Sequence, residues 1–141
     1  SMVGVLNGVT LTDATTLKPT FSNFYPAATT PANSEDITAF VNDDPFQEYI
    51  IASDATLGGT LALRKSKIGL TYATTAAAGS TTTGKSSVQL GISTAATTAK
   101  QLRVVRVAED PENQDQTAAN CSLVVKVNLH QYTVGSLATG I

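Results

Sequence analysis

The apolar residues of this chain occur in short runs rich in Val, Ile, Thr, Tyr and Phe, and Gly, Pro, Asn, Asp and Ser separate the runs. β-Branched and aromatic residues favour strands, whereas the separating residue types favour turns. The pattern therefore predicts a mainly β fold with little or no helix. We expect one domain over residues 1–141, built from an N-terminal hairpin and an antiparallel sheet of about five strands.

The predicted hairpin lies near the start of the chain. Residues 9–12 and 20–25 have strand composition, and Asp13, Lys18 and Pro19 provide turn-forming residues between them. Asp accepts hydrogen bonds from nearby backbone N–H groups, and Pro presets the backbone for a turn. We therefore expect these two strands to pair with each other.

Loops and further short strands follow. Residues 26–36 contain two prolines and predict a loop, and strands are expected at 37–41 and 46–51. The low-complexity stretch 73–84, ATTAAAGSTTTG, predicts an exposed, mobile loop. An Ala-rich helix is the alternative for its first half, but the glycines and the Thr run oppose it. Residues 88–92 alternate between apolar and polar side chains, which predicts a half-buried strand.

The segment TLALRKSKIGLTY, residues 60–72, has a conflict in its alternation. Leu61 and Leu63 are odd-numbered, whereas Ile68 and Leu70 are even-numbered. Side chains of a strand alternate between its two faces, so a regular strand cannot bury both pairs. We therefore predict two strand segments with a bulge or bend within residues 64–67.

Two apolar runs around a polar turn form the last part of the chain. In residues 122–132, Leu123 and its odd-numbered neighbours predict a core face, while Lys126, His130 and Tyr132 fall on the opposite, mostly polar face. The preceding run, 102–107, is partly apolar on both sides. This second run is expected to be central in the sheet, or to be covered by a partner subunit.

Charge is distributed very unevenly along the chain. Residues 1–60 contain seven carboxylates and one cation, Lys18. Residues 61–108 contain no carboxylate and seven cations: Arg64, Lys65, Lys67, Lys85, Lys100, Arg103 and Arg106. We therefore divide the domain into an acidic part with the hairpin and loops, 1–60, and a basic antiparallel sheet, 61–134. Strand cations can simply discourage edge pairing; the functional interpretation is a basic sheet face that binds a polyanion.

Enzymatic chemistry has few candidate residues here, and we expect no enzyme, cofactor or metal. The chain has one Cys, Cys121, which we expect to be buried, and one His, His130, which we expect on a solvent-facing strand, with contact to a phosphate or base as the alternative. The acids of DPENQDQ, 110–116, lack the Gly and closing Glu of a calcium loop. Residues 79–86 match G-x4-G-K-S, but a strand is predicted after them where a phosphate-binding loop needs a helix. No apolar stretch approaches the roughly 20 residues of a membrane span, so no membrane partner is expected.

Three stretches in this order resemble the coat proteins of single-stranded RNA bacteriophages. They are GVTLTDATTLKPTFSNFYP as a hairpin, ITAFVND leading to GTLALRKSKIGL as the first sheet strands, and KQLRVVRVAEDP with NCSLVVKVNLHQYT as the last strands. The resemblance implies a five-stranded sheet that binds genomic RNA on its inner face, in a chain that forms dimers and then a capsid. The family also has a helical segment after its last strand, where this chain has VGSLATGI.

The same resemblance implies which residues contact RNA. Its RNA-facing sheet positions correspond to Arg64, Lys65, Lys67, Arg103, Arg106, Lys126 and Tyr132. The expected function is thus a self-assembling coat protein of the virion that lines packaged RNA. The alternative is a phage decoration or tail-tube protein, or a secreted module at an extracellular surface, that binds only protein. Low charge, 14% of residues, and abundant Thr suit both functions.

Overall fold

The computed structural model describes residues 2–26, 29–94, 99–113 and 115–133. Within these residues it contains nine strands, one α-helix of seven residues and three 3-10 turns. The strands form three antiparallel sheets of three, four and two strands, so the prediction of a mainly β fold is confirmed. Residues 134–141, where the resemblance places a helical segment, lie outside the described residues.

The N-terminal sheet contains the predicted hairpin and one additional strand. Strands β1 (Val5–Thr12), β2 (Pro19–Ser22) and β3 (Thr38–Asn42) lie in the order β2-β1-β3. At the β1–β2 turn, the backbone N–H groups of Thr15 and Thr16 donate to Asp13 Oδ1 at 2.9 and 2.7 Å. These bonds, the one from Thr16 above all, hold the pKa of Asp13 below its ordinary value because they stabilise the carboxylate.

The larger sheet joins strands from both halves of the chain. It has the order β4-β9-β8-β5, with β4 at Glu48–Ala52, β5 at Thr71–Tyr72, β8 at Leu102–Val107 and β9 at Ser122–Val127. This sheet has four strands, where the sequence predicted about five. Strand β8 is central in this sheet, which confirms the first of the two expectations for residues 102–107. The edge strand β4 comes from the acidic first sixty residues, and it places a carboxylate beside the basic strands β8 and β9.

One face of the larger sheet is covered by the core. The buried cluster consists of Leu57, Tyr72, Leu90, Ile92, Leu102, Val104, Cys121, Leu123, Val125 and Val127. The prediction that Cys121 is buried is confirmed, since only 3% of it is exposed. Burial raises the pKa of its thiol because the thiolate would lose its hydration.

The segment 60–72 is not a bulged strand, so that prediction is wrong. It forms helix α1 (Leu61–Lys67), and Thr60 Oγ1 caps the helix by accepting a hydrogen bond from Leu63 N at 3.3 Å. Leu, Ala, Arg and Lys are strong helix formers, and a Thr cap favours helix at this position. The helix ends before Gly69, which adopts φ +85° and donates from its N–H to Val104 O at 2.8 Å.

The low-complexity stretch is exposed, as predicted. Residues 74–83 are all exposed, and 73–84 contain no helix. Its beginning, β6 (Thr74–Thr75), pairs with β7 (Gln89–Leu90) in the two-stranded sheet. The strand predicted at 88–92 is therefore shorter than expected, and Ile92 begins a 3-10 turn.

Candidate nucleic-acid interface

The uncovered face of the larger sheet has charged side chains in one row across three strands. Lys126 on β9 pairs in register with Glu48 on β4 and with Arg103 on β8. Directly opposed residues of an antiparallel sheet place their side chains on the same face. Glu48, Lys126 and Arg103 therefore lie side by side, with the acid at one end of the row.

A bulge in β8 brings Arg106 to this same face. Along a regular strand, Arg106 would share a side with the core residues Leu102 and Val104. The register shifts between Val104 and Arg106, so that Arg106 pairs with Val124 of β9. The extra residue, Val105, reverses the alternation and turns Arg106 away from the core. One face therefore holds Arg103, Arg106 and Lys126. We call these three residues the cation triad.

Glu48 lies between two members of the cation triad. Its Oε2 is 3.7 Å from Arg106 Nη2, and its Oε1 is 3.5 Å from Lys126 Nζ. The three side chains are 39 to 52% exposed, so water screens both ion pairs. Exposed pairs of this kind contribute about 0–1 kcal/mol, and a competing anion can replace them. Arg103 has no ion-pair partner among the described residues.

The end of the face near the β8–β9 connection is more acidic and more apolar. A cavity of about 590 Å³ lies there, and Arg106, Ile50, Val124, Glu109 and Asp110 are among the residues that line it. Ile50 is 71% exposed. Arg103 and Lys126, which pair in register, therefore lie toward the other end of the face, away from this connection.

The three basic residues of the α1 segment lie on the helix and not on this face. Arg64 Nη1 donates to Gly58 O at 3.3 Å, and Lys67 Nζ donates to Ile92 O at 3.4 Å. Ile92 belongs to the buried core, on the opposite side of the sheet from the cation triad. Lys65 is exposed on the same helix. The structure therefore brings together three of the seven predicted RNA-contacting residues on one sheet face.

The predictions for the end of β9 have different outcomes. Tyr132 is 60% exposed, but it lies beyond β9, in the turn that follows His130. The predicted exposure of His130, and its alternative contact with a phosphate or base, are wrong because His130 is 0% exposed. The backbone of Met2 pairs with the chain at 129–131, and His130 Nδ1 accepts a hydrogen bond from Tyr132 N at 3.0 Å.

The sequence interpretation missed Glu48 and Ile50 as members of this face. The strand 46–51 was predicted, and the alternation within it separates Glu48 and Ile50 from Tyr49 and Ile51. That signal shows that the two residues share a side of β4. It does not show that β4 pairs with β9, which is what brings Glu48 to the cation triad.

Metal binding and membrane crossing by a helix can be examined in the described part of the chain. It holds no cluster of three or more His, Cys, Asp or Glu residues that could bind a metal ion. It also has no helix with the length and apolarity to cross a bilayer. No family model, curated protein or solved structure matches this chain. The functional inference therefore depends on the geometry of the sheet face.

Proposed function

We propose that this chain is a viral coat protein of the kind found in single-stranded RNA bacteriophages. In this proposal it assembles into a capsid and binds packaged RNA through the cation triad. The observation that carries the proposal is the convergence of Arg103, Arg106 and Lys126 on one uncovered sheet face, which requires both the strand pairing and the bulge. Three cations on a sheet face suit an RNA backbone, whose phosphates are the main source of sequence-independent affinity.

Binding at this face would proceed by exchange of ion pairs. RNA phosphates would replace Glu48 as the partner of Arg106 and Lys126, while Arg103 would gain a partner. Both ion pairs are exposed and weak, so little stability is lost in the exchange. The acid also limits nonspecific affinity, because it opposes phosphates that approach Arg106 and Lys126.

Exposed aromatic residues on the N-terminal sheet support self-assembly. Phe21 of β2 and Phe40 of β3 are 63% and 49% exposed, and their ring centroids are 6.2 Å apart. Leu6 and Val41 pair in the same sheet and are also exposed, but Val41 directly follows Phe40 in β3, so this pair lies on the opposite face of the sheet. Exposed apolar surface marks contact surfaces between proteins, and the Phe21–Phe40 pair is the candidate contact surface. Copies of this chain would bury it against each other in the assembly.

A protein that binds only other proteins, in the virion or at an extracellular surface, is the second candidate. It is favoured by Ile50, which is 71% exposed on the same face as Glu48 and the cation triad. A face with an exposed isoleucine and both signs of charge also suits a protein interface, which has an apolar centre and a polar rim. Such a partner would bury Ile50 and would not require RNA.

Purification without added RNA, followed by electron microscopy, tests the proposal. We expect discrete particles with a high ratio of 260 to 280 nm absorbance that nuclease does not reduce until the particles are opened. Particles without nucleic acid would favour the second candidate. A monomer without nucleic acid at high protein concentration would refute both assembly and RNA packaging.

The assembly surface has its own test. Phe21→Ser combined with Phe40→Ser should abolish particles and leave a folded subunit, as measured by size-exclusion chromatography and circular dichroism. Leu17→Ser is the matched control, because Leu17 is 66% exposed but lies in the β1–β2 turn. Normal particles from the double variant would show that the aromatic pair is not a contact surface.

A further inference from the structure

A cavity of about 570 Å³ lies away from the larger sheet, between the N-terminal sheet and the turn at 79–86. It is lined by Val5, Leu6, Asn23, Phe24, Tyr25, Gly79, Ser80, Thr81, Gly84, Lys85 and Ser86. Its volume is within the roughly 300–1,000 Å³ of small-molecule sites. The segment that matches G-x4-G-K-S therefore lines a cavity together with two aromatic residues.

The turn at 79–86 is not a phosphate-binding loop of the P-loop type. In such loops free backbone N–H groups surround the phosphates. Here Ser80 N donates to Lys85 O at 3.0 Å, and Gly84 N donates to Ser80 O at 2.8 Å. Lys85 N donates to Thr83 Oγ1 at 3.4 Å. These three backbone donors are used within the turn, so they are not free to bind phosphate as the donors of a P-loop are.

The turn is held against the hairpin side of the cavity by a close contact. Asn23 Nδ2 donates to Thr83 O at 3.4 Å. Gly84 has φ +66°, and a Cβ at this position would collide with the side-chain amide of Asn23. Glycine is thus required at position 84 both for the backbone conformation and for the approach of the turn.

The lining residues define the chemistry of a ligand. Lys85 is the one charged residue among them, and Tyr25, 56% exposed, and Phe24 provide aromatic rings. Ser80, Thr81 and Asn23 provide hydroxyl and amide groups that can bind polar substituents. One cation without an acid in the lining favours an anion with a single charged group, and the rings favour a planar group that stacks on them.

We propose that this cavity binds one nucleotide unit, a nucleoside monophosphate, separately from the cation triad. The base stacks on Tyr25 or Phe24, the phosphate contacts the Lys85 ammonium, and the hydroxyl and amide groups contact the sugar and base edges. A triphosphate gains little over a monophosphate, because Lys85 is the only cation in the lining and the backbone N–H groups of Ser80, Gly84 and Lys85 are used within the turn. This site does not depend on the proposed coat function.

An NMR titration tests the site. Guanosine 5′-monophosphate is added to ¹⁵N-labelled full-length protein, with guanosine, inorganic phosphate and guanosine 5′-triphosphate in parallel. We expect amide shifts at Tyr25, Ser80 and Lys85, with a dissociation constant on the order of 1 mM, as expected for one stacked base and one exposed ionic contact. The monophosphate should bind more tightly than the nucleoside or phosphate alone. Shifts confined to strands β8 and β9, or none at several millimolar ligand, would overturn the proposal.

Substitutions test the stacking contact of Tyr25 and the ionic contact of Lys85 separately. Tyr25→Ala should weaken binding of monophosphate and nucleoside alike, by about 5- to 140-fold if it removes one base–aromatic stack. Lys85→Gln should weaken the monophosphate and leave the nucleoside unchanged. Lys18→Gln, at an exposed lysine in the β1–β2 turn, is the control and should bind as the unaltered protein does. Unchanged binding in both Tyr25→Ala and Lys85→Gln, with their spectra otherwise intact, would refute the assignment of the cavity.

Discussion

The strongest prediction concerns the salt dependence of RNA binding at the cation triad. For single-stranded nucleic acid, each phosphate that a cation neutralises adds about −0.7 to the slope of log affinity against log salt. Three cations share the face, which corresponds to a slope of about −2.1. Affinity should therefore fall about 18-fold between roughly 50 and 200 mM salt. Replacing Arg103 and Arg106 with Gln leaves only Lys126, and the fall should shrink to about 2.6-fold over the same range.

The stability of this double variant should change little. Arg106 has one exposed ion pair, with Glu48, and Arg103 has none within the described chain. Loss of the exposed pair costs about 0–1 kcal/mol of unfolding free energy. A larger loss, measured by urea denaturation, would show that the two arginines are structural residues of the sheet.

Fluorescence anisotropy with a labelled single-stranded oligoribonucleotide measures the slope. Lys18→Gln removes a charge at an exposed position in the β1–β2 turn, outside the larger sheet, and its slope should equal that of the unaltered protein. Glu48→Gln should increase affinity at every salt concentration, because it removes the competing partner of Arg106 and Lys126. An equal loss of slope in the control variant and in the Arg103 and Arg106 variant would refute RNA binding at the cation triad.

Three further predictions concern the fold. Leu90→Ala should lower the unfolding free energy by about 2–5 kcal/mol, measured by urea denaturation, since Leu90 is 0% exposed in the core; a loss below about 0.5 kcal/mol would contradict this packing. Cys121 should react with a thiol reagent only after denaturant is added, because it is buried and the pKa of its thiol is raised; rapid labelling of the native protein would contradict its burial. The carboxylate of Asp13 has a lowered pKa, so its hydrogen bonds should be complete above pH 3.8 and be lost as the pH falls through the lower folded value. The protection factors of the Thr15 and Thr16 amides, which correct for the intrinsic rate of exchange at each pH, should fall in that acidic range, and Asp13→Asn should remove this pH dependence.

Local features of this fold were predictable because they depend on neighbouring residues. The turn at Asp13 and the core alternation of Leu123, Val125 and Val127 follow from turn chemistry and from the alternation of a strand, and the structure confirms them. The change of parity within residues 60–72 correctly indicates that this segment is not one regular strand, but the prediction of a bulge there is wrong. A change of parity is equally compatible with a short helix, and the helix formers after the Thr60 cap decide for helix.

The bulge that matters for function occurs in β8 instead. There the apolar residues change parity from Leu102 and Val104 to Val107, but the prediction from the partly two-sided pattern was only a central or covered strand. A bulge depends on the register with the neighbouring strand, so it is a property of the pair and not of either segment. This register decides that Arg106 joins Arg103 and Lys126.

The amino-acid order alone determines that the strands of the second half carry cations and that the first sixty residues carry most of the acids. Tertiary structure decides which charges meet: the pairing of β4 with β9 places Glu48 between Arg106 and Lys126, and the helix removes Arg64, Lys65 and Lys67 from the face. The physical reason is the distance along the chain over which each effect acts. Alternation and turn formation act over a few residues, whereas strand order depends on burying one common core between segments far apart in the chain.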